Sequence, residues 1–550
     1  MRYNYAQLFA VIAAALPERD CIVFRDRRLT YKDVATRVNR LANLLLAHGI
    51  TIREPRAKLQ PWESGQDHVA LYLHNGNEYI EGMLGAATAR AASFNVNYRY
   101  VEAELAYLLN DAGTRAIIYH ARFAPTLGAV LDMLDQPPAL LLQVADETGN
   151  SLLPGALDYE AALTGASADA PATVPEPDDL YVVYTGGTTG MPKGTLWSQA
   201  AIVEAALAAF LPPGLLEAPG LSAALDLIVA TDRRTLMPLP PLMHAAAQWM
   251  AMSAFLTGGT IVFPDVVDRL DPDAVWDAID RENVQFINLV GNAFASPMCD
   301  AFERGSYRGT SLQFVGVGGA VTSAAVKDRI LRLLPQAVIG DVAGSSETGS
   351  QLANISTSQA AATSGVFTPA AGTCVVDADH GRILEPGEDE TGWLARQGAI
   401  PFGYLGDREK TERTFPTIAG HRLALPGDRA RHLADGTIEL LGRESVTINS
   451  GGEKIFAEEV EAALTGHTAI RDIVVVGRPS DRWGQEVVAI IELVPGCTAS
   501  DADLLLHAGH RLARYKLPKA IVRVPAVLRS PAGKADYGWA RQIAVAGAPA

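Results

Sequence analysis

Cysteine is scarce in this 550-residue chain: there are four, Cys21, Cys299, Cys374 and Cys497. They lie far apart, form no Cys-x-x-Cys pair and have no histidine at ligand spacing. This excludes a disulfide framework and a cysteine zinc site, and it suits a reducing, cytoplasmic setting. Positive charge is also short. Lys and Arg number 46 against 62 Asp and Glu, a formal net charge of −16, and no basic cluster offsets it, so a general nucleic-acid binder is excluded. Long apolar runs are missing too. Residues 245–256 are interrupted by Gln248, and no run approaches the roughly 20 residues needed to cross a bilayer, so no integral membrane span is expected. Residues 8–16 (LFAVIAAAL) have the flavour of a signal peptide, but Pro17, Glu18, Arg19 and Asp20 follow them in place of a small-residue cleavage site, so a helix is predicted there. Repeats of solenoid period are absent.

What is present is an ordinary globular composition, 48% hydrophobic and 20% charged, in a chain too long for a single core. One large multi-part domain and at least one smaller domain are expected. From residue 21 to 50 the pattern runs short strand, polar turn, then a helix with Val34, Val38, Leu41, Leu44 and Leu45 close to helical spacing. Similar alternation at residues 69–72, 79–89 and 116–119 predicts an α/β (mixed α+β) fold with strand–helix–strand units. Residues 151–179, rich in Ala, Pro, Asp and Gly, read as an exposed connection. A strand at 437–441 follows the Asp435-Gly436 turn, and the last hundred or so residues carry their own strands and helices. A boundary at about residue 443 is expected, giving domains 1–443 and 444–550.

The strongest chemical signal is the run Tyr184-Thr185-Gly186-Gly187-Thr188-Thr189-Gly190-Met191-Pro192-Lys193-Gly194, directly after the apolar strand at 180–183. Its glycines let backbone approach a polyphosphate, Thr185, Thr188 and Thr189 offer hydroxyls, and Lys193 supplies positive charge. It is not a Walker A loop: Lys193 follows Pro192 instead of glycine, and residues 195–197 intervene before a helix can start at Ser198.

The run resembles the signature loop of the acyl-adenylate-forming superfamily, which includes acyl-CoA synthetases, luciferases and peptide-synthetase adenylation domains. Other segments resemble that family's motifs in the same order. Met237-Pro-Leu-Pro-Pro-Leu-Met-His244 implies a histidine at the acyl pocket. Gly318-Gly319-Ala320 implies the turn along adenine. Gly344-Ser345-Ser346-Glu347-Thr348 implies a magnesium-holding glutamate, with Thr188 as a second metal contact and Asp341 in the nucleotide site. Asp428 in Pro426-Gly427-Asp428 matches the aspartate that accepts from both ribose hydroxyls, Arg443 the arginine beside the hinge, Gly451-Gly452-Glu453-Lys454-Ile455 the mobile loop of the small domain, and Lys534 the catalytic lysine. Singly, His244 reads as a core histidine, Glu347 and Asp428 as solvated carboxylates, and Lys534 as a surface lysine; their shared order over residues 184–534 reverses that. Two departures stand out: Ser445 where a charged hinge residue is common, and Ala343 where an aromatic commonly stacks on adenine, which leaves Val317 or Val342 to pack it.

The resemblance implies ATP, Mg²⁺ and coenzyme A as cofactors and co-substrates. A carboxylate attacking the α-phosphate brings two anions together, so cations must stand where charge develops, and Lys193, Lys534 and a magnesium held by Glu347 suit that. In the family the small domain then rotates, removing the lysine and presenting the glycine loop to a pantetheine arm. Segments 242–250, 290–297 and 315–320 are small or apolar, with Ala245, Ala246, Ala247, Gly291, Ala293, Ala295 and Gly318. They predict a roomy, uncharged pocket for a bulky hydrophobic acid. The segments around residues 240–244 and 442–446 also resemble bacterial ligases for long-chain and steroid-side-chain acids. Two alternatives stay open: an acyl-AMP ligase loading a separate carrier protein, and a nucleotide-binding regulatory protein without turnover. A homodimer is one assembly open to the chain.

Overall fold

The structure, a computed structural model, describes residues 2–186, 191–319, 322, 324–359, 365–388, 390–443, 447–465, 467–528 and 536–547. The apolar segment near the N-terminus is a helix, Tyr5–Ala15, capped by Asn4, whose side chain accepts from the amides of Ala6 and Gln7. It is a core helix: Phe9 stacks against Tyr31 and meets Phe255 edge-on, with ring centres 5.7 and 5.9 Å apart. The helix Tyr31–Ala47 begins at a capping box between Thr30 and Asp33 and buries Val34, Val38, Leu41 and Leu45, a stripe set by the 3.6-residue period.

Two sheets organise the large part of the chain. In the first, Ala92–Asn95, His68–Tyr72, Thr114–His120, Leu140–Val144 and Leu157–Asp158 lie side by side, all parallel. In the second, Asp20–Phe24, Thr260–Phe263, Thr235–Pro238, Phe286–Leu289, Phe314–Gly318 and Val338–Ser345 run parallel in that order. Strands of this kind are covered on both faces and are therefore mostly apolar; Thr260–Phe263 and His68–Tyr72 are buried at every position. The second sheet continues through antiparallel strands, Gly349–Ser356 and Val366–Pro369, to Ile438–Arg443 and Asp428–His432. Where the carboxyl ends of Asp20–Phe24, Thr114–His120 and Leu140–Val144 converge, a cavity of about 370 Å³ is lined by His74, His120, Arg122, Asp146 and Asp268, among others.

Residues 151–179 correct one expectation. Within this stretch Leu157–Asp158 adds an edge strand to the first sheet, and the helix Tyr159–Gly165, capped by Asp158, buries Tyr159 and Leu163. The Tyr159 hydroxyl donates to the buried carboxylate of Glu81 at 2.7 Å. Two core residues and one cap suffice to fold a segment whose average composition is that of a loop.

Residues 447–547 build a third sheet, ordered Glu453–Phe456, Thr447–Ser450, Gly484–Leu493, Ile470–Ser480, with Ala520–Arg523 parallel to Gly484–Leu493. Helices Ala457–Thr465 and Asp501–Gly509 cover one face, and Tyr537–Ala546 covers the other.

Candidate active site

The strand Leu180–Gly186 pairs antiparallel with Pro192–Ser198, so Thr185 stands opposite Lys193 and Gly186 opposite Pro192. Gly187, Thr188, Thr189 and Gly190 lie outside the described residues. Asn95 anchors this hairpin. Its amide nitrogen donates to the carbonyls of Tyr184 (2.8 Å) and Met243 (2.7 Å), and its oxygen accepts from the Tyr184 amide at 2.8 Å. Lys193 donates to Asp111 at 3.3 Å, and the hydroxyls of Tyr107 and Tyr184 reach the same carboxylate. Burial pulls the Lys193 ammonium down, but Tyr107 and Asp111 outweigh it and its pKa is raised.

Glu347 lies at the tip between Val338–Ser345 and Gly349–Ser356. Its two oxygens accept from the Ser346 hydroxyl at 2.9 Å and the Tyr404 hydroxyl at 2.7 Å. The Thr185 and Ser346 hydroxyls are 2.9 Å apart, and the Trp197 indole donates to the Ser346 carbonyl at 2.7 Å. Three segments thus meet at the Ser346-Glu347 pair. Gly344 permits the tight return of the chain, because a Cβ there would lie 1.9 Å from the Gly349 carbonyl oxygen. A buried Arg396 braces the turn by donating to the carbonyls of Ala205, Thr348 and Ser350. The Lys410 ammonium stands 4.3 Å from the Tyr404 ring centre, its pKa lowered by burial although Glu347 and Asp407 raise it.

Ser345 holds the amide of Glu347 and is itself bonded by Thr348. Gly318 and Asp341 are brought together by the register of the adjoining parallel strands, with Val317 opposite Asp341 and Gly318 opposite Val342. The Asp341 carboxylate pairs with Lys327 at its side. Gly319 follows in the left-handed region, and Ala320 lies outside the described residues. Ala343 packs beside Leu352 and Phe367. Asp428 stands opposite Arg443 across two antiparallel strands. Lys534 and Ser445 lie outside the described residues.

At the far end of the site, His244 precedes the helix Ala245–Phe255 and its Nε2 is 3.2 Å from Glu453, which also accepts from Arg99 at 2.9 Å. Burial disfavours the ionised Glu453, yet His244, Arg99 and Lys516 together hold its carboxyl below the usual range. The glycine turn of the third sheet reaches the same place. Gly452 is left-handed (φ +85°) and so close to Val290 that a Cβ would fall 2.2 Å from that side chain.

Residues 9–400 match the AMP-binding enzyme family, and residues 459–534 match the AMP-binding enzyme C-terminal domain. The medium-chain acyl-CoA ligase Mig of Mycobacterium avium is 52% identical over 540 residues, covering 98% of this chain and 97% of its own. The chain belongs to the AMP-binding enzyme family, on its acyl-CoA ligase branch. A second relative of this AMP-binding enzyme, the 3-oxocholest-4-en-26-oate–CoA ligase of Rhodococcus rhodochrous, is 36% identical over 558 residues, covering 98% of this chain and 96% of its own. Among solved structures, the amide bond synthetase McbA of Marinactinospora thermotolerans shares the fold at a TM-score of 0.79 and 21% identity, covering 98% of this chain and 99% of its own. The expected α/β fold with a large N-terminal part and a smaller C-terminal one is therefore the family's fold. No described helix is long and apolar enough to cross a membrane.

Four residues of the candidate site carry no motif that would mark them in the sequence: Asn95, Asp111, Trp197 and Tyr404. The bonds that tie them to its other segments span 57 to 149 positions.

Proposed function

We propose that this chain is an AMP-forming acyl-CoA synthetase for hydrophobic carboxylic acids, of medium or long chain or with a bulky steroid side chain. The observation that carries the reading is the docking of the Gly451-Gly452 turn against Val290, with Glu453 on His244. A turn without side chains leaves room beside it for a slender thiol arm. Relatives named for medium-chain and 3-oxocholest-4-en-26-oate substrates support the acid class, as do the small residues Ala247, Gly291 and Ala295 of the segments expected to line the acid site.

In the first half-reaction the acid's carboxylate oxygen attacks the α-phosphorus of ATP, a new O–P bond forms, and pyrophosphate leaves. Thr185 and Lys193 present a hydroxyl and a cation to the phosphate tail, and we assign Lys534 the contact with the attacking carboxylate and α-phosphate. Gly318, Gly319 and Ala320 flank the adenine, and Asp428 binds the ribose. The Glu347 carboxylate, with the hydroxyls of Ser346 and Thr185 close by, is an oxygen-only donor group that fits a hard divalent cation; Thr188 would join it. Bound there, magnesium would neutralise phosphate charge. In the second half-reaction the thiol sulfur of coenzyme A attacks the acyl carbonyl, and AMP leaves with the bridging oxygen.

We place the domain boundary at residues 443 and 444, supported by the change of sheet between Ile438–Arg443 and Thr447–Ser450. The scarcity of cysteine supports a cytoplasmic setting. Pyrophosphate release across acids of increasing length, with and without coenzyme A, tests the reading. Coenzyme-A-dependent thioester with hydrophobic acids is expected; loading of a carrier protein instead, or no release at all, would replace it.

A further inference from the structure

Away from the reacting groups, residues 447–547 meet the rest of the chain at a buried ionic triad. Lys516 donates to Glu104 at 2.7 Å and to Glu459 at 2.9 Å, and all three side chains are 5–6% exposed. Glu104 stands in the first turn of the helix Glu102–Asp111, in the large part of the molecule, whereas Glu459 and Lys516 both belong to the small part. The second Glu104 oxygen accepts from the amide of Ala513 at 2.9 Å, and from that of Val101 at 3.3 Å. One carboxylate of the large part therefore takes two donors from the small part, a cation and a backbone amide.

This arrangement is specific to one orientation. Glu459 travels with Lys516, so their pairing survives any rigid rotation of the small part. The bonds to Glu104 do not: if the parts separate, a carboxylate and an ammonium must be rehydrated and the Ala513 amide must find another acceptor. Glu104 also ends a short docking edge, residues 97–104, along which Asn97 donates to the Tyr515 hydroxyl at 2.9 Å and Arg99 donates to Glu453. The orientation held by this edge is the one that brings Gly452 onto Val290 and Glu453 onto His244.

We propose that Glu104 and Lys516 are positioning residues that select the docked orientation in which the thioester forms. They touch no substrate atom; they set how often the small part occupies that orientation. The inference rests on the acyl-CoA synthetase reading for its consequence, and on the buried triad for its geometry.

The test uses the full-length enzyme. Acid-dependent ATP–pyrophosphate exchange reports the first half-reaction, and thioester formation from supplied acyl-adenylate reports the second. Glu104→Gln, nearly isosteric, is expected to slow thioester formation at least tenfold while exchange stays within about twofold, which also certifies folding. Lys516→Gln opens the same link from the other side and is expected to repeat the split. A dye pair on the exposed Cys497 and on Met133→Cys, a half-exposed position in the large part, is expected to show the docked distance depleted in both variants. Equal loss of the two half-reactions, or an unchanged split and an unchanged distance, would overturn the proposal. Were the unmodified enzyme to form no thioester, the acyl-CoA reading would fail by itself, and the dye distance would still decide the latch.

Discussion

Ser346 and Tyr404 donate to the two oxygens of Glu347, and Thr185 holds Ser346 in turn, so the carboxylate's orientation is fixed before any ligand arrives. Tyr404→Phe should leave the carboxylate in place but free to swing. A hydrogen bond to a charged group contributes roughly 1.5–3 kcal/mol, and pyrophosphate exchange should therefore fall on the order of 10- to 100-fold with little change in thermal stability. Glu347→Gln should fall further and lose its dependence on magnesium concentration; an unchanged magnesium response would remove Glu347 from the metal site. Thr185, Lys193, Ser346 and Glu347 were legible in the sequence because short motifs carry them. Tyr404 and Asn95 were not, since their roles exist only once the chain has folded back on itself.

At the level of the element, the glycine turn between Thr447–Ser450 and Glu453–Phe456 is pinned by space as much as by backbone sign. A methyl at Gly452 would meet Val290 in a left-handed conformation that L-residues disfavour. Gly452→Ala should lower thioester formation from supplied acyl-adenylate at least tenfold more than it lowers pyrophosphate exchange. Elsewhere the helix Tyr31–Ala47 delivers Arg37 to the fully buried Glu81, with bonds of 2.7 and 3.1 Å, and to Glu160 at 2.8 Å. Removing one partner of a buried pair costs roughly 3–5 kcal/mol, so Arg37→Ala should lower the unfolding free energy from denaturant titration by that much, and a change below about 1 kcal/mol would show that Glu81 finds other support. Periodicity disclosed this helix; the N-terminal one is read from the charged residues that follow its apolar stretch where a cleavage site would stand. Periodicity missed Tyr159–Gly165, because two buried side chains and an aspartate cap leave no trace in a composition dominated by loop residues.

For the whole molecule, acid sensitivity is built into the cavity between the two sheets. Burial holds His74 down to about 4, helped by Arg122, and His120 down to about 3, helped by His74. The His120 Nδ1 accepts from the His74 amide at 3.0 Å. Unfolded, each ring titrates near about 6.5. Between that pH and 4 the unfolded chain takes up protons that the native one refuses, so stability is complete above the window and falls as pH drops through it. The loss should be on the order of 3 kcal/mol per ring at pH 4, and His74→Asn should flatten the fall of the urea midpoint over that range. A profile identical to the unmodified chain would show that other groups govern it. At this scale the sequence disclosed two unequal parts but not how they face each other, because the meeting of Glu104 with Lys516 and Ala513 spans more than 400 positions and follows no periodicity.

On the function proposed above, the amide of Asn95, bonded at once to the backbone of Tyr184 and of Met243, welds the wall assigned to the acid to the wall assigned to the phosphates. Neither wall can shift to suit a longer or thicker acid without dragging the other. Tolerance for acids of different size must then be supplied by side-chain repacking, and on the same proposal the travel between the two chemical steps is left to the smaller C-terminal part.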